Sequence, residues 1–115
     1  MANRFNEQEL LDRVDNDTAF LAQTVEMLQS DGRSLMVQVK TAIAAADAPT
    51  VGRTAHTLKG MISNFCAPAV QALALEVEMA GKAGGVAIAS EAIARLEPEL
   101  EGLITELAAF LEAKS

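Results

Sequence analysis

Apolar residues recur at intervals of three and four along almost the whole chain. This spacing matches the 3.6-residue turn of an α-helix, so each apolar run forms a stripe along one side of a helix. Such a helix is stable only when its stripe packs against a neighbour. The chain is therefore predicted to be all-α. The longest stripe lies near the C-terminus and consists of Ala89, Ile93, Leu96, Leu100, Leu103, Leu107 and Phe110.

Capping residues, prolines and glycines divide these stripes into five predicted helices. The segment DND (15–17) offers capping side chains, and the segments DAPT (47–50), CAP (66–68) and GKAGG (81–85) mark the later breaks. The predicted helices cover Phe5–Val14, about Asp17–Ala46, about Pro49–Phe65, Pro68 to the GKAGG segment, and the C-terminal stripe.

Two of the predicted helices contain a residue that helices disfavour. The stripe of the long second helix consists of Leu21, Val25, Leu28, Leu35, Val39, Ala42 and Ala46. The stripe keeps its register across Gly32, which favours one continuous helix, with any bend at Gly32, rather than two abutting helices. Pro98 lies off the stripe of the last helix and removes one backbone hydrogen bond. A kink near Ala94 is expected there, but not a break in the helix.

Short connections make sequential helices antiparallel neighbours. The predicted fold is therefore an up-and-down antiparallel four-helix bundle with a short extra N-terminal helix. Half of the 115 residues are hydrophobic, which is enough to build one core. Residues 1–115 are predicted to form a single domain.

The charge and cysteine content argue against several classes of function. A net charge of −7 disfavours binding to nucleic acid or to an anionic membrane surface. The single cysteine, Cys66, cannot form an internal disulfide, and one cysteine with one histidine is too few for a structural zinc site. Since no apolar segment is long enough to cross a membrane and no signal segment is evident, the expected location is the cytoplasm.

The only histidine, His56, is predicted to point away from the core. When residues 49–65 are placed on a helix at about 100° per residue, the apolar side chains lie roughly 140° to 240° from the imidazole. These side chains are Val51, Leu58, Met61, Ile62 and Phe65.

Small and basic residues share the face of His56. Gly52 and Gly60 lie four residues before and after it, and Arg53 and Lys59 lie three residues before and after it. Glycines without Cβ atoms would let another molecule approach the imidazole, and the two cations would hold an anionic group beside it. Ser63 lies seven residues after His56, on the same face.

These features together predict a phosphoryl acceptor. The two cations disfavour the imidazolium form, which leaves a nucleophilic ring nitrogen near neutral pH. Phosphoryl transfer depends on positioning and on neutralising charge, usually with magnesium. Since no acidic cluster accompanies His56 in the sequence, no cofactor of its own is expected, and the donor protein would supply Mg²⁺.

The segment AHTLKG (55–60) resembles the phosphoacceptor motif of histidine-containing phosphotransfer (HPt) domains of bacterial phosphorelays. The continuation MISNFCA places Cys66 where the family commonly has glycine, which puts the conformation of that turn in question. The segments LLDRVDNDTAFLAQTVEMLQ (10–29) and ALALEVEMAGKAG (72–84) are also similar to the family. The resemblance covers nearly the whole chain.

The resemblance implies a helical bundle that carries phosphate without an ATP site and is not itself an enzyme. It implies that His56 is phosphorylated by a receiver-domain aspartate, that Lys59 is the cation near it, and that Gly60 admits the partner. The implied partners are receiver domains of a hybrid histidine kinase and of a response regulator. Roles for Gly52, Arg53 and Ser63 in partner binding come from the helical geometry alone.

Three other interpretations compete with this one. A dimerising phosphoacceptor module of a histidine kinase would need a second chain to complete its bundle, whereas four long stripes fill one bundle and favour a monomer. A non-catalytic helical adaptor would take up no phosphate. A Cys-His enzyme using Cys66 and His56 is disfavoured, because ten residues of helix separate them by roughly 15 Å.

Overall fold

The computed structural model describes residues 3–114, and every regular element among them is helical. A π-helical turn, Leu28–Gly32, joins α2 to α3, and a 3₁₀ turn, Ser63–Phe65, follows α4. The α-helices are α1 (Glu7–Arg13), α2 (Thr18–Met27), α3 (Arg33–Ala44), α4 (Ala48–Ile62), α5 (Pro68–Lys82) and α6 (Val86–Lys114). The prediction of an all-α helical bundle is confirmed.

Side-chain caps begin three of the helices. The carboxylate of Asp17 accepts a hydrogen bond from the backbone N–H of Phe20 at 3.0 Å, which confirms the capping role predicted for DND. Asn6 and Asp47 cap α1 and α4 in the same way. Pro68 is the first residue of α5, where its missing N–H costs nothing.

The long second helix is continuous, as predicted, but it contains a wider turn. No break separates α2, the π turn and α3. The π turn places an extra residue in one turn. The first buried position after Gly32 falls one residue later than the stripe predicted, while Val39 and Ala42 are buried as predicted. Met36 therefore reaches the core, and Leu35, which the stripe predicted to be buried, is only partly buried.

The end of this helix differs from the prediction. The helix stops at Ala44, and Ala46, which was predicted to complete the stripe, is exposed and has a left-handed backbone with φ of 54°. The left-handed residue turns the chain toward the cap of α4.

The four long helical segments close into a ring within one chain. α3 packs on α4, α4 on α5, α5 on α6, and α6 packs back on α2 and α3. The ion pairs Arg33–Glu101 and Lys40–Glu97 show that α3 and α6 run antiparallel. The complete up-and-down order remains the prediction made from the short connections.

The N-terminal segment and the last helix are packed together. Phe5 is buried and meets Phe110 edge to face, with 5.4 Å between ring centroids. Arg4 pairs with Glu99 and Glu106 and lies over Gly102, where a side chain would displace it. α6 continues through Pro98 without a break, as predicted; the kink near Ala94 remains a prediction.

Candidate functional site

His56 lies in the middle of α4 and points outward, as its helical position predicted. Its side chain is 65% exposed. The opposite side of α4 is buried in the core through Val51, Ala55, Leu58 and Ile62. The imidazole is therefore available to another molecule, while the helix that carries it is fixed by core packing.

A buried carboxylate holds one nitrogen of this exposed ring. Glu78 of α5 is only 2% exposed, and its Oε2 lies 3.0 Å from His56 Nδ1. Two ammonium groups also meet this carboxylate: Lys59 Nζ at 2.8 Å from Oε1 and Lys82 Nζ at 2.7 Å from Oε2. Three basic side chains thus surround one buried acid, which is the arrangement that a buried charge requires.

The two lysines keep Glu78 ionised. Contacts first with Lys59 and then with Lys82 lower the pKa of Glu78 to about 2, although burial acts in the opposite direction. An ionised carboxylate only accepts hydrogen bonds, so the contact with His56 requires the proton to be on Nδ1. The lone pair of the neutral ring is then on Nε2, the nitrogen left free to react.

A close crossing of α4 and α5 brings Glu78 to His56. Gly52 and Gly81 meet at this crossing, where a Cβ added to Gly81 would lie 2.5 Å from the backbone nitrogen of Gly52. Only glycine permits this approach. α5, and not an approaching partner, fills the space that Gly52 leaves, since an added Cβ there would touch the backbone of Lys82 at 3.4 Å.

The two cations predicted to flank His56 are oriented differently from each other. Lys59 turns toward α5 to meet Glu78 and is 23% exposed. Arg53 is exposed, and its Nη2 donates to Thr50 Oγ1 at 3.0 Å, one turn toward the start of α4. Lys82, which was not predicted, is the exposed cation that shares the Glu78 carboxylate with the imidazole; its side chain is 60% exposed.

Gly60 and Ser63 lie at the C-terminal end of α4. Among the described residues, no atom lies within 4 Å of a Cβ added to Gly60, so this position is open to solvent. The Ser63 hydroxyl donates to the carbonyl of Gly60 at 2.6 Å and satisfies one carbonyl at the helix end. Its partner-binding role remains a prediction.

A groove of 610 Å³ lies beside His56 between α4 and α5. His56 and Arg53 line it from α4, and Lys82 and Gly81 line it from α5. The groove therefore combines the exposed imidazole, two cations and the glycine crossing. A dianionic group attached to the ring would find opposite charge on both sides of this groove.

A comparison with protein families decides what kind of domain carries this histidine. Residues 23–110, most of the chain, match the Hpt domain family. This chain is an Hpt domain. Hpt domains are helical bundles that carry phosphoryl groups on histidine in phosphorelays and interact with receiver domains. No curated protein and no solved structure gives a significant match.

The turn after α4 in this Hpt domain keeps a conformation suited to glycine. Cys66 has φ of 55° and ψ of 46°, in the left-handed region, which costs a residue with a side chain about 1–2 kcal/mol. Its carbonyl accepts a hydrogen bond from the Asn6 N–H at 3.0 Å. Burial raises the pKa of the Cys66 thiol, which disfavours the thiolate that a Cys-His enzyme would need.

Glu78, Lys82 and Gly81 are the site residues of the Hpt domain that sequence reasoning missed. Glu78 adjoins the core position Val77, and an acid so close to a stripe is normally assumed to reach water. Its spacing of four residues from Lys82 was the available signal, since such a pair faces one side of a helix. Nothing in the sequence indicated that α5 would present this pair to His56.

Two further findings concern the region 3–114 alone. It contains no group of three or more histidine, cysteine, aspartate or glutamate residues placed to hold a metal ion. No helix in the same region is both long and apolar enough to span a bilayer.

Proposed function

We propose that this Hpt domain is a phosphorelay intermediate that accepts a phosphoryl group on His56 from a receiver-domain aspartate and passes it to a second receiver. The observation that supports this most directly is the exposed imidazole whose Nδ1 is held by an ionised, buried carboxylate. That contact presents Nε2 outward with its lone pair.

The transfer can be written in full. The Nε2 lone pair attacks phosphorus in line with the aspartyl oxygen; the N–P bond forms as the P–O bond breaks, and its electron pair stays on the aspartate. The Nδ1 proton remains in place, so the ring becomes cationic as it accepts the group. Glu78 stabilises this charge, because its carboxylate faces Nδ1 at 3.0 Å.

The return transfer reverses these steps toward a second aspartate. The Hpt domain acts as a carrier and not as an enzyme, and Mg²⁺ is supplied by the receiver. The partners are receiver domains of a hybrid histidine kinase and of a response regulator, in the cytoplasm. Closure of the helical ring within one chain supports a monomer over a module that needs a second chain.

The experiment is incubation with a receiver domain phosphorylated on aspartate, followed by measurement of acid-labile, base-stable phosphate on this chain. The wild type should take up phosphate, and His56→Gln should take up none while keeping its helical circular dichroism. Glu97→Ala, at the α6 surface, is the matched control and should take up phosphate normally. Equal uptake by His56→Gln, or none by the wild type from any receiver of its organism, would refute the proposal.

A further inference from the structure

The two lysines on Glu78 differ in exposure and in the oxygen they contact. Lys59 is 23% exposed and meets Oε1, whereas Lys82 is 60% exposed and meets Oε2. His56 Nδ1 contacts that same Oε2 at 3.0 Å. The Lys82 ammonium and the imidazole are thus neighbours across a single oxygen atom, and Lys59 lies on the other one.

We propose that Lys82, and not the motif lysine Lys59, supplies the ammonium group that contacts the phosphoryl group on His56. Lys59 instead neutralises the buried carboxylate of Glu78. This division of roles rests on the proposed function and specifies which cation acts on the transferred group.

The difference in burial decides which lysine can move. Within residues 3–114, Oε1 of Glu78 accepts no hydrogen bond, and its ion-pair partner is the Lys59 ammonium at 2.8 Å. If Lys59 left, this buried charged oxygen would remain unpaired. If Lys82 left, Oε2 would keep the Nδ1–H of His56. The exposed ammonium of Lys82 can therefore turn to a new anion at little cost, because it is already largely hydrated.

The groove beside His56 gives Lys82 the right location. Lys82 lines that groove together with the imidazole, whereas Lys59 does not border it. Arg53 also borders the groove, but its guanidinium is hydrogen-bonded to Thr50, toward the start of α4. Of the two lysines on Glu78, Lys82 is thus the one that borders the groove, and it can turn to a phosphoryl group while Oε2 keeps the Nδ1–H of His56.

The test compares three lysine-to-glutamine variants with phosphoramidate, a small phosphoryl donor that removes any effect of receiver docking. Phosphohistidine formation is followed by ³¹P NMR, and unfolding by urea. Lys82→Gln should take up phosphate about fivefold more slowly, the size of a lost exposed ionic contact. Its urea midpoint should change little, and Lys82→Arg should restore most of the rate.

Lys59→Gln should show the opposite pattern, with the larger loss of urea midpoint and the smaller loss of rate per folded molecule. Lys40→Gln is the matched control, because Lys40 pairs with Glu97 on the α6 side of the bundle, and it should match the wild type in rate. If Lys59→Gln does not fold, its structural role is supported, and the comparison of Lys82→Gln with Lys40→Gln decides the proposal.

Several results would overturn the assignment of Lys82. A wild-type rate for Lys82→Gln would do so, as would a loss seen only with a receiver donor, since Lys82 would then contact the receiver and not the phosphoryl group. If phosphoramidate labels His56 but no receiver exchanges phosphate with it, the relay function fails and the Lys82 assignment is still decided. If the wild type forms no phosphohistidine with either donor, both fail.

Discussion

The ion pairs on α6 and the cluster around Glu78 contain similar groups at similar distances, yet their surroundings differ. The pairs Arg33–Glu101, Lys40–Glu97 and Arg95–Glu76 have contacts of 2.6 to 2.8 Å, and each side chain is about half exposed. Glu78 makes contacts of 2.7 to 3.0 Å and is 2% exposed. Distance alone therefore does not separate the two regions, but burial does.

Burial determines what each region contributes to the protein. Exposed pairs are worth at most about 1 kcal/mol, because water and salt compete for both charges. A buried acid is costly without its partners and therefore fixes the positions of the groups that surround it. The α6 pairs lie on the surface of a packed helix, whereas Glu78 holds Lys59 and the imidazole in place and contacts Lys82 on its exposed side.

Glu78→Ala should give the largest effect in this comparison. The ammonium group of Lys59, whose side chain is 23% exposed, would lose its ion-pair partner. The missing Glu78 side chain would also leave unfilled space at the α4–α5 contact. The free energy of unfolding should fall by about 3 kcal/mol in urea titrations. Glu97→Ala, the matched surface variant, should change it by about 0.5 kcal/mol or less. Equal losses would mean that burial does not distinguish the two regions.

Lowering the pH should give the second largest loss in the free energy of unfolding, through protonation of Glu78. The pKa of Glu78 is lowered to about 2 in the folded protein from an ordinary value of 4.5. The stability from this shift is present above pH 4.5 and is lost as pH falls toward 2, because the unfolded chain binds the proton more readily. Between about pH 6 and pH 3 the loss should be about 2 kcal/mol.

Urea midpoints at these two pH values would test this, with Glu78→Gln as the comparison. Contacts with Thr50 and Arg33 also lower the pKa values of Asp47 and Glu101, so some acid sensitivity is shared by any variant. The wild type should lose more stability than Glu78→Gln. An identical loss in both proteins would assign the acid sensitivity to the other carboxylates.

Gly81→Ala should lower the free energy of unfolding by a smaller amount. This variant tests whether the close crossing of α4 and α5 is what buries Glu78. The added methyl group would meet the backbone of Gly52, so α4 and α5 must separate. We expect a loss of about 1.5 kcal/mol and a change in the imidazole NMR shifts as Glu78 moves from Nδ1. Gly60→Ala has open space and should stabilise the helix by up to about 1 kcal/mol. A stabilising Gly81→Ala would contradict the close crossing.

Local signals in the sequence were sufficient for most of the fold. The charged cap at Asp17, the proline that starts α5 and the outward direction of His56 all follow from one residue and its near neighbours. The π turn did not follow, because a stripe of threes and fours accommodates one extra residue by using Met36 in place of Leu35.

A different reason explains why the part of the site contributed by α5 could not be predicted. The partners Glu78 and His56 are 22 residues apart, and their contact depends on how closely two helices cross. That distance is set by Gly52 and Gly81. The sequence led us to interpret Gly52 as space for a partner and Gly81 as the end of a helix, because nothing in it indicated that the two glycines meet. Helical periodicity describes one helix at a time and holds no information about such a meeting.

The chain has one histidine, and its outward imidazole lies on a helix fixed by the core. In the proposed relay, the donor and recipient receivers would use the same nitrogen, so they could not bind this protein at the same time. Each receiver would have to leave before the other could bind, so slow release of the first would limit the flow of phosphate. Tight binding by either partner would therefore slow the signal and not strengthen it.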